Sequence, residues 1–346
     1  MDSSNSILEQ ASRLDGLVAE CHARVGTQLG DTLIDAELRP RLRAYWDMVR
    51  STSPQRQAAC RSGSRLPHTL NSFAGMFLLV VLNEGCDVDD GILDAAAACE
   101  LYGFAISLLD AVQDDELEPP ISDFGPAVAS NAALIMFVQA CGGIMRMGDR
   151  LPAAGRARLQ RCFVDRSLIS GAGQHRDLRC VRPDSLESSA TQAQDKTTAI
   201  AMILEMAALM AGCSEERVGL YYRIGRRYAL VRQCVNDLRD LYGKTSSDDL
   251  ATGKWSLPLV AFWTDAEPGP RRELDRLRQD LPGSAQAIAT LLFQSGAIGR
   301  VASVMEQARC EVHAAIEQLG SADAPIAAMG AATNVITSRI YSRAAA

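Results

Sequence analysis

Apolar residues recur at three- and four-residue intervals along nearly the whole chain, and that spacing most constrains what it can fold into. Alanine-rich segments with this period cover 72–84, 92–111, 126–147, 156–173, 191–212, 216–242, 255–265, 284–296 and 299–318. Such a period returns apolar side chains to one face of a helix, whereas a strand alternates at every second residue. No segment alternates convincingly and β-branched runs are short, so the pattern predicts an all-α fold. Turn-forming clusters separate the segments: Glu118-Pro119-Pro120, Arg182-Pro183-Asp184, Glu267-Pro268-Gly269-Pro270 and Gly320-Ser321-Ala322-Asp323. Segments 126–147 and 191–212 are apolar nearly all round and are expected inside the bundle. No linker divides the 346 residues. The expectation is a partly flexible segment over 1–20 and a single helical domain over 21–343, a bundle around a central cavity.

Two acidic patches carry the chemistry. Asp110 and Asp114 lie four apart in Asp110-Ala111-Val112-Gln113-Asp114-Asp115, and Asp237 and Asp240 three apart in Asn236-Asp237-Leu238-Arg239-Asp240. Each pair therefore projects from one helix face. Two such faces opposed across a cavity would hold divalent metal. Magnesium prefers a few carboxylates plus water and phosphate oxygens to a closed protein cage, so diphosphate chemistry is implied. Lysine usage points the same way. Of 35 basic residues only Lys196, Lys244 and Lys254 are lysines, and all lie in or near the segments that would face the diphosphate. An ammonium is a compact point charge suited to a phosphate oxygen. For Asp115 a solvated helix end competes with a site role, and for Asp240 and Lys244 an intrahelical ion pair does.

A net charge of −7 and no basic stripe argue against a nucleic-acid partner. The ten cysteines are scattered singly, without metal-binding spacing, and read as buried thiols in a reducing cytosol. The amino terminus, polar and acidic, does not resemble a signal peptide. No uninterrupted apolar run reaches the roughly twenty residues of a membrane span, so a cytoplasmic enzyme without a span is expected. His68 and His175 have no carboxylate or cysteine at ligand spacing.

From about Gly63 to Pro258 the chain resembles the trans-isoprenyl diphosphate synthase, or polyprenyl synthetase, family of class I terpenoid enzymes. Asp110-Ala111-Val112-Gln113-Asp114 is similar to the family's DDxxD motif with alanine for the second aspartate, and Glu100 matches a glutamate ten residues before it. Asn131-Ala132 resembles the start of the helix after that motif. Gly173-Gln174 with Asp177 resembles a GQxxD segment, and Lys196-Thr197-Thr198 the KT motif that binds the allylic diphosphate. Gln233 to Asp240 resembles the second aspartate motif, with Asn236 for its first aspartate. Ser247 to Pro258 matches an SDxxxGKxxxP stretch almost in full.

The resemblance implies an all-α class I fold, a homodimer, several Mg2+ ions and an allylic prenyl diphosphate substrate. By it the metal falls to Asp110, Asp114, Asn236, Asp237 and Asp240, and the diphosphate to Lys196, Thr197, Gln233, Lys254 and Arg65. Asp110, Asp114, Asp237 and Lys196 would carry catalysis. Tyr102, Phe104, Ala105, Ile106 and Phe137 are candidates for the pocket wall, and the small Ala105 leaves room for a substrate of farnesyl length or longer.

Departures from the family are concentrated on one side of the reaction. Chain-elongating members grip isopentenyl diphosphate with a GKRxRP loop, a histidine before the first motif and paired arginines after it. Here the loop reads Gly63-Ser64-Arg65-Leu66-Pro67, the histidine position falls on Gly103, and the motif is followed by Asp115, Glu116 and Glu118. Arg232, where the family has a phenylalanine, either substitutes for a lost cation or faces solvent. The expectation is ionisation of an allylic diphosphate followed by cyclisation or elimination. Prenyl transfer, to isopentenyl diphosphate or to another acceptor, is the first alternative, and a non-catalytic partner subunit the second.

Overall fold

The computed structural model describes residues 14–31, 33–59, 68–242, 250, 253–321 and 325–344. Among these residues the chain forms fourteen α-helices and no strand, as the apolar period predicts. They are α1 Asp15–Gln28, α2 Leu38–Ala59, α3 Phe73–Asn83, α4 Asp90–Gln113, α5 Gly125–Gly148, α6 Ala153–Leu178 and α7 Leu186–Lys196. Then come α8 Thr198–Met210, α9 Glu215–Tyr242, α10 Leu257–Asp265, α11 Pro268–Gln279, α12 Ala285–Gln294, α13 Ala297–Gln318 and α14 Ala327–Ala344. The helices group into two compact units whose segments interleave along the chain. The first comprises Met1–Phe163, Ile203–Val218 and Ser321–Ala328, the second Val164–Met202, Gly219–Gly320 and Met329–Ala346.

The first unit is organised around α4. Its run of buried alanines, Ala95 to Ala98, lets α5 approach so closely that a Cβ on Gly143 would lie 2.6 Å from the Cβ of Ala98. The Asp89 carboxylate caps α4 by accepting the Ile92 N–H at 2.9 Å. At the other end Glu116 N–H donates to the Ala111 carbonyl at 2.8 Å, and Asp115 (φ 59°) occupies the left-handed position usually given to glycine. The helix therefore stops at Gln113, with Asp114 as its C-cap. Asp115, ambiguous in the sequence, is the residue that ends α4.

Midway along α4, Glu100 accepts hydrogen bonds from the Ser72 hydroxyl and the Ala74 N–H, both at 2.8 Å, and lies 3.2 Å from His22 Nε2. One carboxylate thus ties α1 and the start of α3 to α4. Burial alone would raise its pKa, but His22, the Ala74 N–H and the Ser72 hydroxyl outweigh burial and hold it below the usual carboxylate range. In the second unit, Asp237 does comparable work. Ser256 precedes α10 without capping it, and the N–H of Leu257 donates instead to Asp237 Oδ2 at 2.7 Å.

Several sequence expectations are corrected. Segment 191–212 is two helices, α7 and α8, broken at Thr197. The Thr197 and Thr198 hydroxyls donate to the carbonyls of Ala193 and Gln194 at 2.7 and 2.8 Å, competition with the helical ladder that β-branched hydroxyl residues favour. Pro268, expected in a turn, begins α11, where its missing N–H costs nothing. Helix α5 is not internal all round, because Leu134, Val138 and Met145 stand exposed along one face.

Two stretches, Asp90–Gln113 and Ser122–Gly148, are long and apolar enough to cross a membrane by length and composition, each with mean hydropathy 1.6. A third candidate arises only if α12 and α13, bent by 72°, are counted as one span. Counting uninterrupted runs missed these stretches because isolated acidic residues barely lower the mean of an apolar window. The first is 67% buried within the protein and the second 33%. Of the nine described cysteines only Cys21, Cys99, Cys162 and Cys234 are buried as expected, while Cys86, Cys141, Cys180 and Cys213 are half-buried and Cys310 is exposed. Burial pushes Cys21 up to about 12 and raises Cys99 and Cys234.

Candidate active site

Within the second unit, α6, α7, α9 and the segment leading into α10 line a small cleft that is partly open to solvent. Its lining includes Gly173, Asp177, Lys196, Gln233, Asp237 and Lys254. The two lysines converge on one carboxylate: Lys196 Nζ lies 2.7 Å and Lys254 Nζ 3.7 Å from Asp177 Oδ2. Their side chains are only 24% and 11% exposed, so water screens this charge weakly. Two part-buried ammonium groups on a single anion can donate to the oxygens of a more highly charged one.

The helix break places Lys196. It is the last residue of α7, and its carbonyl accepts from Ser170 Oγ of α6 at 2.9 Å. Glycine at 173 is required here, since a Cβ would lie 2.2 Å from the backbone nitrogen of Lys196. Gly173→Ala is expected to push α6 from the break, destabilise the fold by about 2–3 kcal/mol and weaken diphosphate binding. Urea denaturation and titration with inorganic diphosphate would check both. A variant as stable and as tight as the parent would refute this account of Gly173.

Lys254 is held from both sides. The Gly253 carbonyl (φ 84° at that residue) accepts from Arg278 NH2 at 2.6 Å, and the same guanidinium lies 4.4 Å from the centre of the Trp255 ring. Asp237 is 6% exposed, and its Oδ1 accepts from Gln233 Nε2 at 2.7 Å. With Leu257 N–H on its other oxygen, Asp237 locks the Lys254 segment to α9. Asp240, half-buried, lines a smaller adjoining cleft with Asp237 and Lys254, whereas Asn236 is exposed. The Arg232 guanidinium is half-buried, 5.9 Å from the Tyr228 ring centre. Arg65 and Lys244 lie outside the described residues.

In the first unit Asp110 and Asp114 are half-buried on the last turn of α4. Helical spacing puts Gly103, Ile106, Asp110 and Asp114 on one stripe. The Phe73 ring sits on Gly103, where a Cβ would meet Cδ2 at 2.5 Å. Tyr102 and Phe104 diverge by about 200° around the helix. Tyr102 packs with Phe137 and Phe163 at centroid distances of 5.8 and 5.5 Å, and Phe104 with Tyr45 and Trp46 at 5.4 and 4.9 Å. Ala105 is buried and Ile106 half-buried, so of the pocket candidates on α4 Ile106 shares the stripe of Asp110.

Among the described residues no three His, Cys, Asp or Glu side chains converge as a ready metal cage. The hard carboxylate oxygens of Asp110 and Asp114, four residues apart at a helix end, are of the chemistry that would hold Mg2+.

A sequence profile of polyprenyl synthetases matches residues 90–292, more than half of the chain. The chain belongs to the polyprenyl synthetase family. It is accordingly an enzyme acting on prenyl diphosphates. Solved structures extend the likeness over nearly the full length. A polyprenyl synthase from Roseobacter denitrificans shares 17% identity, with TM-score 0.74 over 97% of this chain and 99% of that one. A geranylgeranyl pyrophosphate synthase from Corynebacterium glutamicum, complexed with calcium and isoprenyl diphosphate, shares 20%, with TM-score 0.72 over 96% and 98%. A decaprenyl diphosphate synthase from Rhodobacter capsulatus shares 16%, with TM-score 0.74 over 95% and 99%. At such identities the likeness establishes the fold, the all-α class I prenyl synthase architecture. No curated protein matches the chain significantly.

Sequence reasoning assigned no role to Arg176, Asp195, Arg226 or Arg278, and it noted Asp177 only as part of a motif. Their charges are ordinary for helix surfaces, and only the packing of α6, α7, α9 and α11 brings Arg176 and Asp177 into the cleft wall and sets Asp195, Arg226 and Arg278 against the residues that carry its lysines.

Proposed function

We propose that this polyprenyl synthetase ionises an allylic prenyl diphosphate with Mg2+ and then closes or deprotonates the cation internally, without adding isopentenyl diphosphate. The observation that carries this reading is at Gly103. The family resemblance assigns that position to a histidine gripping isopentenyl diphosphate, and here its side-chain space is filled by the Phe73 ring. The neighbouring arginine positions are no better suited, since Asp115 terminates α4 and Glu116 follows. Each lost charge-assisted hydrogen bond to a diphosphate costs about 1.5–3 kcal/mol, so the acceptor site is weakened on every side the sequence reveals.

Asp110 and Asp114 on one patch, and Asp240 with Asn236 and Asp237 on the other, would hold Mg2+, whose chemistry is to neutralise charge on the leaving diphosphate. Lys196 and Lys254 leave Asp177 for the diphosphate oxygens. Thr197 and Gln233 flank them, and Arg65 adds a further cation. An apolar wall from Ile106 and Phe73 would exclude water until the cation is quenched, whereas Tyr102 with Phe137, and Phe104, pack away from that stripe on other sides of α4. We assign the enzyme to the cytoplasm as a homodimer, with the Leu134, Val138 and Met145 stripe of α5 as the face for a second copy.

Chain elongation is the second reading. The names of the solved neighbours, geranylgeranyl and decaprenyl diphosphate synthases, favour it. Mass spectrometry of products from geranyl, farnesyl and geranylgeranyl diphosphate, each with and without isopentenyl diphosphate, separates the two. A hydrocarbon or alcohol from one substrate alone is the expected result. Longer diphosphates formed only with isopentenyl diphosphate would replace the first reading by the second.

A further inference from the structure

We propose that Arg226 is a positioning residue for diphosphate binding, acting through Asp195 and the α7–α8 break to set the ammonium of Lys196. The inference rests on Lys196 being a diphosphate ligand and adds what holds it there. One nitrogen of Arg226, NH1, reaches three oxygens around the break: the Gln194 carbonyl at 2.8 Å, Thr198 Oγ1 at 2.8 Å and Asp195 Oδ1 at 3.0 Å. These residues bracket Lys196 and Thr197. A cation at the carbonyl end of α7 is favoured by the helix dipole as well as by the carboxylate. The Arg226 and Asp195 side chains are 17% and 21% exposed, so solvent screens the contact little.

The opposite side of Asp195 completes the device. Its Oδ2 accepts from Arg176 NH2 at 2.6 Å, and the residue after Arg176 is Asp177, the partner of Lys196. Arg176-Asp177 of α6 and Asp195-Lys196 of α7 are thus paired crosswise, cation and anion against anion and cation. Rotating or sliding α7 would break both pairs together. Backbone contact fixes the origin of Arg226 as well: a Cβ on Gly225, its neighbour, would lie 2.4 Å from Ala201 Cα of α8. Asp195 therefore stands between two guanidinium groups rooted on α6 and α9, and the Lys196 backbone cannot move without straining one of them. Small displacements matter here, because a shift of about 1 Å in a positioned group can cost on the order of a hundredfold in function.

The test is a double-mutant cycle on the full chain with inorganic diphosphate and Mg2+, read by titration calorimetry. Lys196→Gln is expected to weaken binding strongly and Arg226→Gln by about tenfold, with the double variant no weaker than Lys196→Gln alone and Arg226→Lys recovering part of the loss. Losses that simply add, or unchanged binding in Arg226→Gln, would overturn the proposal. Should Arg226→Gln not fold, Arg226→Lys and Asp195→Asn carry the same cycle with the same criteria. Unchanged binding in Lys196→Gln would overturn the role of Lys196 itself, and the proposal with it; additive losses would sink the proposal alone.

Discussion

Asp110→Ala lowers diphosphate release from an allylic prenyl diphosphate by about a thousandfold, about 4 kcal/mol of barrier. Asp110 stands one turn before the end of α4, on the stripe shared by Gly103, Ile106 and Asp114, and is half-buried there. Asp110 lies at the end of α4, away from the Glu100 clamp that ties α1 and α3 to the middle of that helix, so its removal is expected to cost activity more than stability. Release is measured by phosphate detection after pyrophosphatase treatment, across a Mg2+ titration. Added Mg2+ should not restore the rate, because a missing ligand changes the geometry of the bound ion as well as its affinity. Asp115→Gly is the matched control. Asp115 holds φ 59° to end the helix, a conformation that glycine adopts without penalty, so this variant keeps its rate and gains about 0.5–1 kcal/mol of stability. An Asp110→Ala enzyme within tenfold of the parent would remove Asp110 from catalysis.

The contrast between those adjacent acids shows where the sequence stops being legible. Spacing alone placed Asp110 and Asp114 on one face and identified the helix that carries them, because i,i+4 geometry is local. It left Asp115 undecided, because a left-handed residue is invisible until the carbonyl of Ala111 meets the N–H of Glu116. The same division runs through the second patch. Asp237 was legible as an acid beside Asp240, but not as the cap of α10 twenty residues away, which spends both its oxygens on Gln233 and Leu257. The α7–α8 break was missed because the strongly apolar stretch 199–209 was extended back over 191–198, where Ala193 is the one apolar residue. Thr197 and Thr198 supply the local reason for the interruption, while Ser170, Gly173 and Arg226 supply the tertiary one. Motif order revealed the family, and long-range packing decides how the charges are used.

Glu100 is the other residue whose loss should be large, and there the loss is of stability. Its carboxylate takes the Ser72 hydroxyl, the Ala74 N–H and His22 together, so Glu100→Ala leaves buried donors on α1 and α3 without their acceptor. Removing one partner from such a buried charged cluster costs about 3–5 kcal/mol, measured as a lowered midpoint in urea at neutral pH. The pH dependence has a definite sign. The folded state holds Glu100 below its unfolded pKa of about 4.3. Its contribution is therefore complete above that value and is lost as pH falls through the lower folded one, because the unfolded chain takes up the proton first. The stability difference between the parent and Glu100→Gln should accordingly be constant from neutral pH down to about 5 and shrink below it. A difference that widens in acid would mean that the buried group is protonated at neutral pH. The clamp would then be a neutral hydrogen-bond network instead of a charged one. Because Ser72 and Ala74 flank Phe73, and Phe73 lies on Gly103, loosening Glu100 should also reopen space beside the Asp110 stripe. In the fraction of Glu100→Gln enzyme that remains folded, more of the cation is therefore expected to be quenched by water, read as a higher ratio of alcohol to hydrocarbon.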